Sequence, residues 1–477
     1  MKRQLLKYCV ALIATLTSVT AMWADGEESY LTYNEAGGYY EITSAADVVT
    51  LANEVNNTKT TSSDYRVGAG RVYKVTVSEL DFSSIMDFPI IGKDDYHRFA
   101  GTFDGQGVVI KNLTIKGFNT YGLFGVVEDG IVKNITLDES CNVYGNNTGG
   151  AFVGRNRGGT ISGCVSKATI EAGSFVGGIV GINHGTITDS KNYGAIDCRG
   201  ESVAGIAGEN ASEDCLVSNC ENHGGINQVY LDAPEFVNAS RFAAGIVGHN
   251  THGQVVNCQN TAPVSSNNQD VGGIAGGNGG LVKECTNSGT VYSPVFYVGG
   301  IVGSNSYGQV VDCTNSGNVS GREYTGGVVG WYYRSTVSGC SVSGVTVTGG
   351  DYGVGAVIGG KRNLESPISE NYYYSDVIVV SQKGYYSGLT LRGIGSSSAE
   401  EEPTDINEIT VQGTTYYNGA VLKLRDGETS VAARQYVHKQ SDSSVYDIHG
   451  RKVSSNSTPL EGLTRGVYIV HGKKVVK

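Results

Sequence analysis

Val298-Gly-Gly-Ile-Val-Gly-Ser-Asn305, followed by Gly308-Gln-Val-Val-Asp-Cys313 and Thr314-Asn-Ser-Gly-Asn-Val319, is one unit of a repeat that decides the fold. Aligned on the last glycine of its first phrase, the chain gives Gly125, Gly154, Gly181, Gly208, Gly248, Gly276, Gly303, Gly330 and, more loosely, Gly359. The steps are 29, 27, 27, 40, 28, 27, 27 and 29 residues. Fixed self-similarity at this period marks a repeat architecture. Each unit holds two or three short β runs separated by Asn and Gly turn signals. A helix pair needs longer 3.6-periodic segments, and a four-stranded propeller blade needs about 40 residues. One coil of a solenoid fits the length. The expectation is an all-β, single-stranded parallel β-helix of about nine 27-residue coils.

In such a fold each strand pairs with its equivalent in the next coil at about 4.8 Å, so equivalent residues stack. Cys164, Cys220, Cys258, Cys285, Cys313 and Cys340 share one position, with Ser190 replacing Cys in its coil. Asn183, Asn210, Asn250, Asn278 and Asn305 share a second, and Asn192, Asn222, Asn260, Asn287 and Asn315 a third. Stacked Asn side chains can bond to one another and tolerate a left-handed corner. The ladder cysteines read as small buried apolar groups, with Cys215 and Cys220 the best candidates for a disulfide. Zinc has no support: there is no Cys-x-x-Cys or His-Glu-x-x-His, and His249 and His252 sit in a turn without further ligands. No cofactor or metal is expected.

The 477 residues include 69 Gly but only 7 Pro, with 17% charged and 39% apolar. Collagen, helical bundles and disorder are excluded by the missing Gly-X-Y period, the glycine content and the Val/Ile runs. The glycines are expected at corners whose conformations β-branched residues cannot adopt. Residues 1–24 read as a secretory signal peptide, with basic Lys2, Arg3 and Lys7, an apolar run over 10–19, and small residues at Ala21 and Ala24. Cys9 precedes the apolar run, the wrong place for a lipid-attachment cysteine. No later stretch is apolar and long enough for a membrane helix, and a net charge of −11 argues against nucleic acid.

The domain reading is a signal peptide over 1–24, an N-terminal cap and lead-in over 25–100, a solenoid over 101–395, a linker over 396–404 and a small β domain over 405–477. Ser44-Ala-Ala-Asp47 reads as a capping box opening a short helix with Val48, Leu51, Ala52 and Val55 on one face. Such a helix can cover the first coil, whose strand edge would otherwise be open. Tyr372-Tyr-Tyr374 and residues 377–380 read as the last strand segments.

The units resemble the GLUG repeat of bacterial surface proteins, found in adhesin-like proteins and some immunoglobulin A peptidases. The resemblance runs over about residues 39–374, with the lead-in Tyr40-Glu-Ile-Thr-Ser-Ala-Ala-Asp47, Phe99-Ala-Gly-Thr-Phe-Asp-Gly-Gln-Gly107 and the phrase Tyr121-Gly-Leu-Phe-Gly125. It implies architecture more than activity, and the peptidase reading lacks its zinc motif here. Val445-Tyr-Asp-Ile-His-Gly-Arg-Lys-Val453 and Gly466-Val-Tyr-Ile-Val-His-Gly-Lys-Lys-Val-Val-Lys477 resemble the C-terminal sorting domain of type IX secretion. Residues 434–477 carry eight Lys/Arg against three Asp/Glu, which agrees. That resemblance implies a small β-sandwich, a secretion-machinery partner and display at the outer surface of a Gram-negative cell.

Two classes of function follow. The first is a secreted, surface-displayed, adhesin-like binding protein without catalysis, recognising an extracellular glycan or a host or bacterial surface protein. Its candidate ligand-binding residues are Tyr230 and Phe236, in the long insertion between Gly208 and Gly248, and Tyr297, Tyr307, Tyr324, Trp331, Tyr332 and Tyr333 in the last coils. Long loops on rigid scaffolds carry recognition, and amphipathic rings suit wet contacts; the same rings could instead simply cover the corners of the solenoid. The second class is a polysaccharide-active β-helix enzyme, a lyase or glycoside hydrolase, with Glu284 and Asp312 in adjacent coils as its carboxylate pair. No row of Asp, Arg and Lys builds up on one face, as binding an acidic polysaccharide would need.

Overall fold

The computed structural model describes residues 30–58, 66–229, 241–350, 353–361, 368–369, 371–373 and 377–381, and short strands between 409 and 476. The segments read as a signal peptide (1–24) and a linker (396–404) lie outside the described residues.

The repeat folds as a parallel β-solenoid. One turn shows the plan: Val180–Asn183, Thr186–Thr188, Lys191–Asn192, Ile196–Cys198 and Ser202–Ala204, after which Ala207–Asn210 lies directly on Val180–Asn183. Stacking these segments generates four long sheets. Sheet 1 has 11 strands, with Val180–Asn183 among them; sheet 2 has 22, two short strands per turn; sheet 3, which includes Ile196–Cys198, has 10; and sheet 4, which includes Ser202–Ala204, has 9. Sheet 1 reaches back to Arg66–Val67 and Arg98–Phe99, so parallel stacking begins before residue 101. The last segments expected from sequence are present as Tyr372–Tyr373 and Ile378–Ser381, paired in parallel with Ser341–Val342 and Thr346–Gly349.

Strand residues divide between interior and solvent, and stacking turns the inward ones into columns. Ile161, Ile187, Val217, Val255, Val282, Val310 and Val337 form one fully buried column, and Val180, Ala207, Val247, Ala275, Val302 and Val329 another. Each buried Val or Ile contributes about 1.5–3 kcal/mol of transfer free energy. β-branched side chains suit a wall in which every neighbour is another strand.

Both Asn columns are buried hydrogen-bond ladders. Asn156, Asn183, Asn210, Asn250, Asn278 and Asn305 link amide to carbonyl at 2.8–2.9 Å, so this ladder starts one turn before the first Asn expected. Asn192, Asn222, Asn260, Asn287 and Asn315 do the same. Each Asn also donates to a nearby backbone carbonyl, as Asn287 does to Gly289 at 2.9 Å. The ladder satisfies polar groups that burial would otherwise leave costly. These Asn do not adopt the left-handed conformation expected of them. That conformation falls instead on the residue before each ladder Cys: Gly163, Asp189, Asn219, Asn257, Glu284, Asp312 and Gly339, with φ between 51° and 66°.

The repeat glycines also differ from expectation. Gly205, Gly245, Gly273 and Gly300 are absent from the positive-φ positions. A Cβ at any of them would collide with the side chain of Asn222, Asn260, Asn287 or Asn315 and with the carbonyl of the next glycine in the column. Space, not backbone conformation, requires glycine here.

Helix Ala45–Asn57 is opened by Ser44, which accepts from the Asp47 backbone N–H while the Asp47 carboxylate accepts from Ser44 N–H. Val48, Leu51, Ala52 and Val55 are fully buried and share one core with Tyr40, Tyr73 and Leu80. Asn56 anchors the helix end by accepting from Gly92 and Lys93 N–H and donating to the Ile90 carbonyl. The described tail strands are antiparallel: Ile409–Val411 with Thr414–Tyr416, and a four-stranded sheet of Val445–Asp447, Lys452–Ser454, Val467–Val470 and Lys473–Val476.

Candidate functional site

Strand Val329–Tyr333 of sheet 1 carries Gly-Trp-Tyr-Tyr where the preceding turn has Gly-Ser-Asn-Ser. Its register pairs Ser304 with Trp331, Asn305 with Tyr332 and Ser306 with Tyr333. Trp331 and Tyr333 therefore share the outer face, and Tyr332 points inward.

Tyr332 is a correction to the sequence reading. It is 0% exposed, and its hydroxyl donates to the Ser335 carbonyl at 2.6 Å. It continues the Asn column as a core residue and is not part of a recognition surface. Its place one turn after Asn305 carried the signal.

Tyr297 and Tyr324 are the second residues of the sheet 4 strands Phe296–Gly299 and Glu323–Gly326, in the left-handed region at φ 61° and 54°. Their rings stack at 5.4 Å with 29° between planes. Trp331 packs against both, 5.5 Å from Tyr297 and 4.7 Å edge-on from Tyr324. Gly360, next to Trp331 in register, leaves room for the Tyr324 ring, which a Cβ there would strike. The corner leaving sheet 1 holds Tyr307 at φ 63° and, one turn on, Arg334 at φ 48°. Tyr307 is 63% exposed and meets Tyr333 edge-on at 5.4 Å. The Arg334 guanidinium lies 5.4 Å from the Tyr333 ring centre. Hydrogen bonds from the Tyr333 and Arg334 side chains lower the pKa of the Tyr307 phenol. Tyr292 is also exposed, and Arg322 lies 5.7 Å over Phe296.

Of the candidates, Tyr297, Tyr324 and Trp331 are thus one ring cluster, and Tyr307 and Tyr333 a second along the same strand. Tyr230 and Phe236 lie outside the described residues. Arg334 was missed by sequence reasoning, although it sits 27 residues after Tyr307. Also missed was Asp270, which occupies the same left-handed column as Tyr297 and Tyr324, one turn before Tyr297, at φ 61°. Burial raises its carboxyl to about 7, against a hydrogen bond from Ser304 that lowers it. Farther along the outer face of sheet 1, Phe242 stacks on His249 at 4.1 Å, and burial holds His249 down at about 4, with His252 adding to the effect.

The nine described cysteines are all free and buried. The disulfide expected between Cys215 and Cys220 is not formed. The Cys215 thiol instead donates to the Asn183 carbonyl at 3.1 Å, and Cys220 to the Ser218 carbonyl at 3.2 Å. Burial pushes Cys164 and Cys198 up to about 12. Among the described residues no group of three or more His, Cys, Asp or Glu is placed to hold a metal. Glu284 pairs with Lys283 at 3.2 Å and lines a depression of about 240 Å³ with Asn219, Glu221, Asn257, Gln259 and Thr286; Asp312 does not line it.

Comparison with known families finds the repeat. The GLUG motif matches residues 295–320 and 321–348, the two units that carry both ring clusters. Halomucin of Haloquadratum walsbyi (strain DSM 16790 / HBSQ001) is 32% identical over 147 residues, which is 30% of this chain but 2% of that protein. The chain therefore spans a very small part of that relative. A crystal structure of a candidate immunoglobulin A1 protease from Bacteroides ovatus aligns over 72% of this chain and 84% of its own at 16% identity, with a TM-score of 0.38. Sequence match and geometry together make this chain a parallel β-solenoid that carries GLUG repeats.

Proposed function

We propose that the protein is a secreted, adhesin-like binding protein of the Gram-negative cell surface, exported through its 1–24 leader and its type IX-like tail. It binds an extracellular glycan or surface protein through the ring surface of Tyr297, Tyr307, Tyr324, Trp331 and Tyr333, without catalysis. One observation carries this reading: Tyr297, Tyr307 and Tyr324 all hold left-handed backbone conformations. A bulky side chain there costs about 1–2 kcal/mol, and the other left-handed positions among the described residues hold Gly, Asn or Asp except at Gln106, Glu284 and Arg334. Residues held against such a cost cluster at functional sites.

The test is a glycan and surface-protein array probed with the wild type and with Tyr307→Asn and Tyr324→Asn, beside a reducing-end release assay. Both variants are expected to keep or raise the melting temperature, because Asn suits the corner, and to lose binding. Unchanged binding in both, or sugar release that vanishes in Glu284→Gln, would sink the proposal, the latter in favour of the enzyme reading.

A further inference from the structure

The ring surface ends on a cation. Arg334 is exposed, its guanidinium lies 5.4 Å from the centre of the Tyr333 ring, and it has no carboxylate partner among the described residues. Cations on the outer face at the far end of the same sheet are neutralised: Arg98 bonds Glu128, Arg155 bonds Asp95, and Arg157 bonds both, at 3.0–3.3 Å. Arg322, near the first ring cluster, is paired with Glu323 at 3.6 Å. Arg334 also stands in a left-handed corner, in the column where Gly158 has φ 78° several turns earlier. A long charged side chain is thus held where glycine would cost less. From Trp331 to Tyr333 along the strand is about 7 Å, two residues on one face, and the Arg334 corner follows at once.

We infer that this end of sheet 1 reads an acidic sugar: the terminal residue of a glycan lies against Trp331 and Tyr333, and its single carboxylate is taken by the Arg334 guanidinium. The planar fork matches a carboxylate through two parallel N–H···O bonds. The aromatic rings match the apolar faces of a pyranose. A charged residue with five donors orients such a ligand, and the neighbouring Tyr307 hydroxyl adds a partner for a ring hydroxyl. One open guanidinium fits one carboxylate per chain end, not a polyuronide, which needs a row of cations. This inference rests on the ring surface being the binding site.

The experiment titrates the full chain, without its leader, with pairs of sugars that differ in one carboxylate: 3′-sialyllactose against lactose, and a glucuronyl-terminated against a glucosyl-terminated disaccharide. The acidic member of at least one pair is expected to bind ten-fold or more tightly, with an affinity that falls as salt rises. Arg334→Gly should abolish the preference with no loss of melting temperature, and Arg334→Lys should restore part of it. Equal binding within both pairs, or a preference that survives Arg334→Gly, overturns the carboxylate reading and leaves the ring surface standing. If neither pair binds and Tyr307→Asn changes nothing on the array, the underlying reading fails with it. Tighter capture of a phosphotyrosine peptide than of every sugar also overturns the inference.

Discussion

Tyr332 lies in register on Asn305, and its hydroxyl reaches the Ser335 carbonyl at 2.6 Å, the kind of backbone carbonyl that Asn278 meets at Gly280 one turn before Asn305. The column keeps its hydrogen-bonding role while the residue changes from an amide to a phenol. Tyr332→Phe leaves that carbonyl without this donor in the core. Urea denaturation should show a loss of about 1–2 kcal/mol, while ligand binding at the outer face stays at the wild-type level. A variant of normal stability that lost binding would return Tyr332 to the site.

Glycine is required for two different reasons, and substitution separates them. Gly273→Ala places a methyl against the Asn287 side chain and the Gly300 carbonyl, and should cost about 1–3 kcal/mol. Gly163→Asn enters a left-handed column already occupied by Asn219 and Asn257, and should change stability by less than about 1 kcal/mol. Thermal melts of the two variants should therefore diverge.

The ladder thiols are packing groups. In the turn that lacks a Cys, Ser190 fills the column, donating to the Thr188 carbonyl at 2.9 Å and accepting from Cys164 N–H. Cys285 donates in the same way to the Lys283 carbonyl at 3.2 Å. Cys285→Ser is therefore expected to cost no more than about 1.5 kcal/mol. In the native protein the ladder thiols should not react with a thiol-selective disulfide reagent until the chain unfolds. Rapid native labelling of Cys258 or Cys313 would contradict the packing role.

Asp270 predicts a pH dependence. Its carboxyl, raised to about 7 in the fold by burial, holds a proton between about pH 4 and pH 7 that the unfolded chain has released. Stability from this group is full at pH 4, declines as pH rises through 7, and is level above that. The half-buried imidazole of His249, held at about 4, acts in the opposite sense and removes stability as pH falls from 6.5 toward 4. The difference between wild type and Asp270→Asn isolates the first effect. The variant should gain on the wild type as pH rises from 5 to 8, by roughly 2.5 kcal/mol. A difference that stays flat across that range would mean Asp270 is ionised in the fold throughout.

The repeat was legible in full because a parallel stack writes its geometry into sequence: a residue 27 positions away is a neighbour 4.8 Å away. The positions of the Cys and Asn columns follow from that rule, and the helix at Ser44 from its capping box and apolar face. The candidate site was legible as a crowd of aromatic residues and not as an arrangement. Composition could not say that Trp331 and Tyr333 face out while Tyr332 faces in, since strand parity matters only once the register with Asn305 is set. Arg334 went unnoticed because its meaning comes from Tyr307 and Tyr333, one in the preceding turn and one beside it.

By itself, the sequence determined the solenoid, its period, its stacked columns and its aromatic-rich last turns. Only the tertiary structure decided which columns line the interior, why glycine faces the Asn ladder, that Cys215 and Cys220 stay apart, and which rings touch. The physical reason is that a repeat specifies the order of positions along one coil, whereas contact, burial and backbone hand depend on what the adjoining coil and the opposite wall place within a few ångströms.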